Sequence, residues 1–362
     1  MSTLQISLAI VGGLVLAGVV AQSAWSSRQN RPKRATPQVP TTRAPEQSAE
    51  QSGAPDTLAQ RQEPGFDADP DLDPDSSLSA LARLTTLERK PGLDILIDAL
   101  APVALDSVVS GEAALAAMPS TRRVGSKPFA LEGLSVATGE WEAPVIGHRY
   151  RSFQCGVQLA NRTGALNQIE YSEFVMKTQA FADAIGGEPE FAEMLDEVAR
   201  ARELDQFASG HDAQLSFTLR ARHAAWSPGY VQQSAAQFGF VSGAMPGRMV
   251  LPARQPGQAP ILGLSFDPMA ALAEDPEQTA LRELTLSLDV PQVQRAEQPF
   301  ERMCEAAMAL AASMGGVIID DNGNPIRPEA MEVIHADLEQ LYDTLDGRDL
   351  SAGSALSRRL FS

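Results

Sequence analysis

Beyond residue 210 the apolar positions alternate: Leu215, Phe217 and Leu219 are separated by Ser216, Thr218 and Arg220. Successive strand side chains point to opposite faces, so this spacing predicts a strand with one buried face. A helix is expected next. Ser227 can cap it, Pro228 suits its first position, and the stretch to Gln237 stops at Gly239. Further strands are expected from Ile261 to Asp267 and where Leu284, Leu286, Leu288 and Val290 alternate with Thr285, Ser287 and Asp289. The period then changes. Phe300, Met303, Cys304, Ala307, Leu310, Ala311 and Met314 follow i, i+3, i+4, i+7 spacing, with Gly315 as a left-handed stop, which predicts an amphipathic core helix. Val317 to Ile319 read as a short strand, Asp321 to Pro325 as a turn, and Pro328 opens a last helix striped by Met331, Ile334, Leu338, Leu341 and Leu345. Such an order implies an α+β unit, an antiparallel sheet with helices on one face.

The region 92 to 209 repeats that order. Leu93, Ile95 and Ile97 alternate, a capped helix is expected near Ser110, and strands are expected near Phe129 to Leu134 and Tyr150 to Leu159. Cys155–Gly187 and Leu284–Gly316 superpose without a gap at an offset of 129, so that Phe174 falls on Met303, Phe181 on Leu310 and Gly186-Gly187 on Gly315-Gly316. A tandem duplicate is therefore expected. In the first copy the last strand should be short or absent, and a helix from Glu190 to Phe207 should follow.

The amino end has another character. From Leu4 to Trp25 no residue is charged, and such a helix, rising 1.5 Å per residue, crosses about 30 Å of hydrocarbon. The first basic residue, Arg28, comes after this run, whereas a cleaved signal needs its basic residues in front, so an anchor is expected. Arg28, Arg31, Lys33 and Arg34 would keep the rest of the chain on the cytoplasmic side, with the amino end facing the periplasm, and would rest on anionic lipid. Ala9, Gly13, Ala17 and Ala21 form a small-residue stripe on which two copies of the helix would pair. Residues 28–77 hold eight prolines and few large apolar side chains, which predicts a disordered tether ending in the acidic run Asp67, Asp69, Asp71, Asp73 and Asp75. A calcium loop is not expected there, since Leu72 and Leu78 stand where such a loop needs Gly and Glu.

Net charge is −17, made of +5 over residues 1–45 and −22 beyond, which opposes binding to nucleic-acid phosphates. Two distant cysteines and four scattered histidines offer no metal-ligand spacing, so neither a metal nor another cofactor is expected. Phosphate-cradling and nucleophile-elbow motifs are missing, and Glu332-Val333-Ile334-His335 is half of a di-iron motif without its second copy, so no enzyme is expected. Asn161-Arg162-Thr163 is a glycosylation sequon that the cytoplasmic topology would make inert.

Ser227-Pro228-Gly229 opening a helix, Gly239-Phe240-Val241 after it, Leu284-Thr285-Leu286 through Val290-Pro291, and the Met314 to Asp321 run (MGGVIIDD) carry a resemblance. With the anchor, basic patch and Pro/Gln-rich tether, the chain resembles the ZipA family of bacterial division proteins, over residues 213–346 and, as architecture, the first 77. The resemblance implies a split β-α-β sheet whose open face holds the carboxy-terminal tail of FtsZ, septum formation as the process, and the bacterial inner membrane as the location. Strand by strand, the groove would be lined by Gln214, Ser216, Thr218, Met245, Ser265, Asp267, Thr285 and Ser287. Of these only Met245 is apolar; the family's large aromatic falls on Ser287 and its methionine on Asp267. Arg220 and Arg248, with Arg222, are candidate contacts for an acidic tail, and the first copy's face near Leu96, between Asp94 and Asp98, is a candidate replacement groove.

The expected layout is an anchor (1–27), a linker (28–77), a degenerate ZipA-like copy (78–209), a ZipA-like FtsZ-binding domain (210–347) and a flexible tail (348–362). Two other readings compete with a single-pass division adaptor: a membrane-tethered scaffold that no longer binds FtsZ, and an exported ligand-binding protein.

Overall fold

The computed structural model describes residues 92–275, 278–320 and 323–362, all within one structural unit. The expected membrane helix with its Ala9, Gly13, Ala17 and Ala21 stripe, the basic cluster Arg28, Arg31, Lys33 and Arg34, and the tether lie outside the described residues. Among the described residues no helix is long and apolar enough to cross a membrane.

The first half contains β1 (Asp98–Ser110), α1 (Gly111–Ala117), β2 (Arg123–Val124), β3 (Lys127–Ser135), β4 (Trp141–Glu142), β5 (Arg149–Gln158), β6 (Ala160–Asn161), β7 (Gly164–Ala165), α2 (Gln168–Ile185), β8 (Gly187–Pro189) and α3 (Met194–His211). The second contains β9 (Gln214–Ala221), α4 (Pro228–Ala236), β10 (Val241–Ser242), β11 (Arg248–Leu251), β12 (Leu262–Ser265), α5 (Pro268–Ala271), β13 (Glu283–Asp289), α6 (Pro299–Met314), β14 (Gly316–Ile319), α7 (Pro328–Asp346) and α8 (Ala355–Leu360). The fold is α+β, with antiparallel sheets. Strand order is β2-β3-β5-β1-β8 in the first sheet and β10-β11-β12-β13-β9-β14 in the second. The runs β3-β5-β1-β8 and β12-β13-β9-β14 thus follow one another element for element, each with its long helix before the last strand.

Local chemistry sets the helix ends. Ser110 caps α1 through Ala113 N, Asn167 and Glu170 form a capping box on α2, and Ser227 caps α4 ahead of Pro228. Helices α2 and α6 stop at Gly186 and Gly315, at φ 69° and 71°, a left-handed turn that a side chain would resist. The inward residues of each sheet meet these helices: Phe129, Phe153, Phe174 and Phe181 in the first half, Phe217, Leu286, Phe300, Met303 and Leu310 in the second, all buried. Trp226 lies at the second core's edge and donates its indole N–H to Met314 O at 3.0 Å.

Three expectations change. The alternation at 93–97 is a turn, not a strand, because Asp94 accepts locally: its carbonyl from Ile97 N and Asp98 N, its carboxylate from Leu96 N. Helix α3 runs from Met194 to His211, beginning and ending four residues later than expected. The carboxy-terminal segment, expected as a flexible tail, forms α8 and buries Leu350, Ala352, Ser357, Leu360 and Phe361. A short helix of this kind holds because its apolar residues find a surface on both halves, which local propensity does not reveal.

Candidate partner-binding site

The registers of β9, β11, β12 and β13 build the open face of the second sheet. Since Leu215, Phe217, Leu219, Leu284, Leu286 and Leu288 turn inward, the intervening residues lie on the other side. Arg248 pairs with Ser265, Ser265 with Thr285, and Thr285 with Thr218, giving one cross-strand row. Val250, Gly263, Ser287 and Ser216 form the next. Six of the expected residues, Ser216, Thr218, Arg248, Ser265, Thr285 and Ser287, are therefore brought together. Arg220 stands one row further, where its Nε meets Glu283 Oε1 at 2.6 Å, with both side chains about half exposed. An exposed pair of this sort contributes about 1 kcal/mol or less to stability. Exposed Arg248 makes no ion pair among the described residues.

Other expected residues stand elsewhere. Asp267 is past the end of β12, where its carboxylate accepts from Met269 N and caps α5. Met245 belongs to the turn between β10 and β11, not to a strand, and is 53% exposed. Gln214 is at the face's far end, taken up by the first half. Arg162, at the tip of the β6–β7 hairpin, donates to Asp212 and Asp289 in two forked pairs at 2.6–2.8 Å. With its amide oxygen turned toward this guanidinium, Gln214 accepts from Nη2 at 2.9 Å. The two carboxylates hold Arg162 protonated well beyond its ordinary range.

Sequence reading passed over this clamp, because Arg162 stood there inside an idle sequon. Its support comes from below. Buried Lys127 donates to Asn161 Oδ1 at 3.0 Å and to Thr163 Oγ1 at 3.3 Å, and Asn161 Oδ1 accepts from Thr163 N, which fixes the hairpin tip. Burial lowers the lysine's proton affinity, while Glu170 and Asp205 oppose that shift.

The first sheet's equivalent face is covered at one end, around Asp98, Gly156 and Gln158, while Pro102, Ala104 and Ala130 stay exposed. Leu93 lies over Gly156, where an added Cβ would come within 2.3 Å of it, and Leu93 N donates to Glu132 Oε1 at 3.1 Å. Beside Leu96 a groove of about 810 Å³ is present, lined by Asp94, Ile95, Leu96, Arg200, Asp349 and Leu356, while Asp98 itself is fully buried and paired with Arg359. Elsewhere, His335 lies along α7, with Nδ1 3.4 Å from Glu301 and its ring stacked on Phe300. Burial pushes the Cys155 thiol up to about 12 and that of Cys304 to about 11, so neither is a reactive thiolate near neutrality. Among the described residues no group of three or more His, Cys, Asp or Glu side chains is arranged to hold a metal ion.

Residues 271–337, from the end of α5 through β13, α6, β14 and half of α7, match the family described as ZipA, C-terminal FtsZ-binding domain. The chain is ZipA-like. The match supports an FtsZ-binding protein of cell division and covers β13, α6 and β14; it leaves out β9 to β12 and the whole first half. No curated protein matches the chain.

Proposed function

We propose that this ZipA-like chain is a non-enzymatic, single-pass adaptor of the bacterial inner membrane, tethering FtsZ filaments during septum formation. Its amino end would be periplasmic and the bulk of the chain cytoplasmic. The supporting observation is that the family match falls on β13, α6 and β14, which line and back a solvent-open sheet face. On this reading the Ser216, Thr218, Ser265, Thr285 and Ser287 rows receive the FtsZ tail by hydrogen bonding, while Arg248 and Arg220 meet its acidic residues. Affinity for one tail would be modest, since little apolar area is available at roughly 25 cal/mol per Å². Many anchors on one filament would gain strength through high local concentration. The matching strand orders support descent of both halves from one duplicated unit, and the Ala9, Gly13, Ala17 and Ala21 stripe supports pairing of two anchors.

Capture of an FtsZ-tail peptide by residues 78–362, weakened on charge reversal at Arg220 and Arg248, is the expected result. Failure of both this module and the intact chain to retain the peptide would instead favour a scaffold that has lost FtsZ, a reading supported by the absence of a large aromatic at Ser287. Alkaline phosphatase activity from a fusion at residue 80 would overturn the cytoplasmic topology.

A further inference from the structure

The registers of the two sheets identify equivalent positions. Cys155, equivalent to Leu284, faces Ala101, and Leu284 faces Leu219. Three steps along each strand, the pair Asp98–Gln158 therefore takes the place of Ser216–Ser287, in the centre of the candidate FtsZ-tail face. Leu100 and Gly156 likewise take the places of Thr218 and Thr285. On the second sheet this row is open. On the first it is filled by the end of the chain itself.

The contacts resemble recognition of a peptide by its backbone and one anchor side chain. Gln158 Nε2 donates to Arg359 O at 2.8 Å, and Arg359 Nη2 donates to Asp98 Oδ1, whose carboxylate has no exposure to water. Arg359 Nη1 also reaches Gly92 O at 3.1 Å. The second half grips the same segment from the other side: Gln292 Nε2 donates to Phe361 O at 2.7 Å, and Ser357 Oγ to Pro291 O at 3.0 Å. Leu360 and Phe361 are fully buried beneath these bonds.

We propose that the open face of the first sheet is a peptide-binding face, occupied in cis by the chain's own residues 350–362, with Arg359 as the anchor read by Asp98 and Gln158. The duplicate has thereby become an internal receptor that locks the two halves together. The second face remains available to a partner. This inference rests on register and contacts and is independent of whether FtsZ is that partner.

The test uses the full chain. In Arg359→Ala, amide exchange over α8 should rise at least tenfold while β9 and β13 keep their protection. A synthetic peptide of residues 350–362 should then bind this variant, and the same peptide carrying Arg359→Ala should bind at least tenfold more weakly. Gln158→Met, close to isosteric, gives a second reading if Arg359→Ala fails to fold: exchange over α8 should rise threefold or more. Unchanged α8 protection in these variants, or equal binding of both peptides, would overturn the proposal. So would a wild-type dimer in which the segments exchange between copies, because the occupant would then be a second chain. FtsZ-tail binding, measured in parallel on Arg359→Ala, should persist; its loss alone would count against the adaptor reading and not against the cis peptide.

Discussion

Two sheets with one strand order present two very different outer faces. On the first, Asp98 and Gln158 are met by Arg359 and Gly156 lies under Leu93; on the second, Ser216, Ser287, Thr218 and Thr285 line an open face. The inward faces keep a common geometry, with Phe174 and Met303 both buried and both long helices ending on a left-handed glycine. Burial constrains shape and volume, so the cores could change side chains only within that frame. The outer faces had no such constraint, and there function could diverge: one row reads the chain's own end and the other is left for a partner.

The largest expected effects lie in the shared core. Phe174→Ala should cost about 3–5 kcal/mol and its counterpart Met303→Ala about 2–5 kcal/mol. Because the halves are bound together, denaturant titration should show one transition shifting in both variants; two separate transitions would break the comparison.

Arg359→Ala should cost the docking of residues 350–362 about 3–5 kcal/mol, with the core strands keeping their protection, since it leaves a buried carboxylate without its partner. Burial holds Asp98 above its ordinary 3.8 despite the neighbouring arginine. The folded chain therefore binds that proton more tightly than the unfolded chain does. The resulting stabilisation is full below 3.8 and is lost as pH rises through the folded-state value. Melting curves across the acid range should show this component in wild type and not in Asp98→Asn.

A smaller loss, about 1 kcal/mol, is expected for Arg162→Ala. It removes the clamp between the halves but leaves Asp212 and Asp289 partly in water. Ser287→Phe should leave stability nearly unchanged while strengthening FtsZ-tail binding about tenfold, or about 1.4 kcal/mol. Gly263 beside it leaves space for the ring, since any Cβ there would meet Ser287 Oγ at 2.6 Å. Unaltered affinity by calorimetry would show that the face is not used in the family's manner.

Much of this arrangement was legible in the sequence. Alternation at Leu215 to Leu219 and Leu284 to Leu288 identified which residues turn outward, and the 3.6-residue period from Phe300 to Met314 gave the helix beneath them. Projection failed where local chemistry takes over: Asp267 serves α5 as a cap, Met245 falls in a turn, and Asp94 draws the chain out of a strand. The tail and the Arg162 clamp were illegible because both depend on contacts between distant segments. One signal was present. Leu360 and Phe361 are two large apolar residues at the tip of a supposedly solvated tail.

Binding of an FtsZ-tail peptide to the full chain, compared between Arg248→Glu and Asp98→Asn, separates the two faces most directly. Saturable binding that falls about tenfold in Arg248→Glu and is unchanged in Asp98→Asn is the expected result. No binding to the wild-type chain, or a loss confined to Asp98→Asn, would contradict the assignment of the partner to the second sheet.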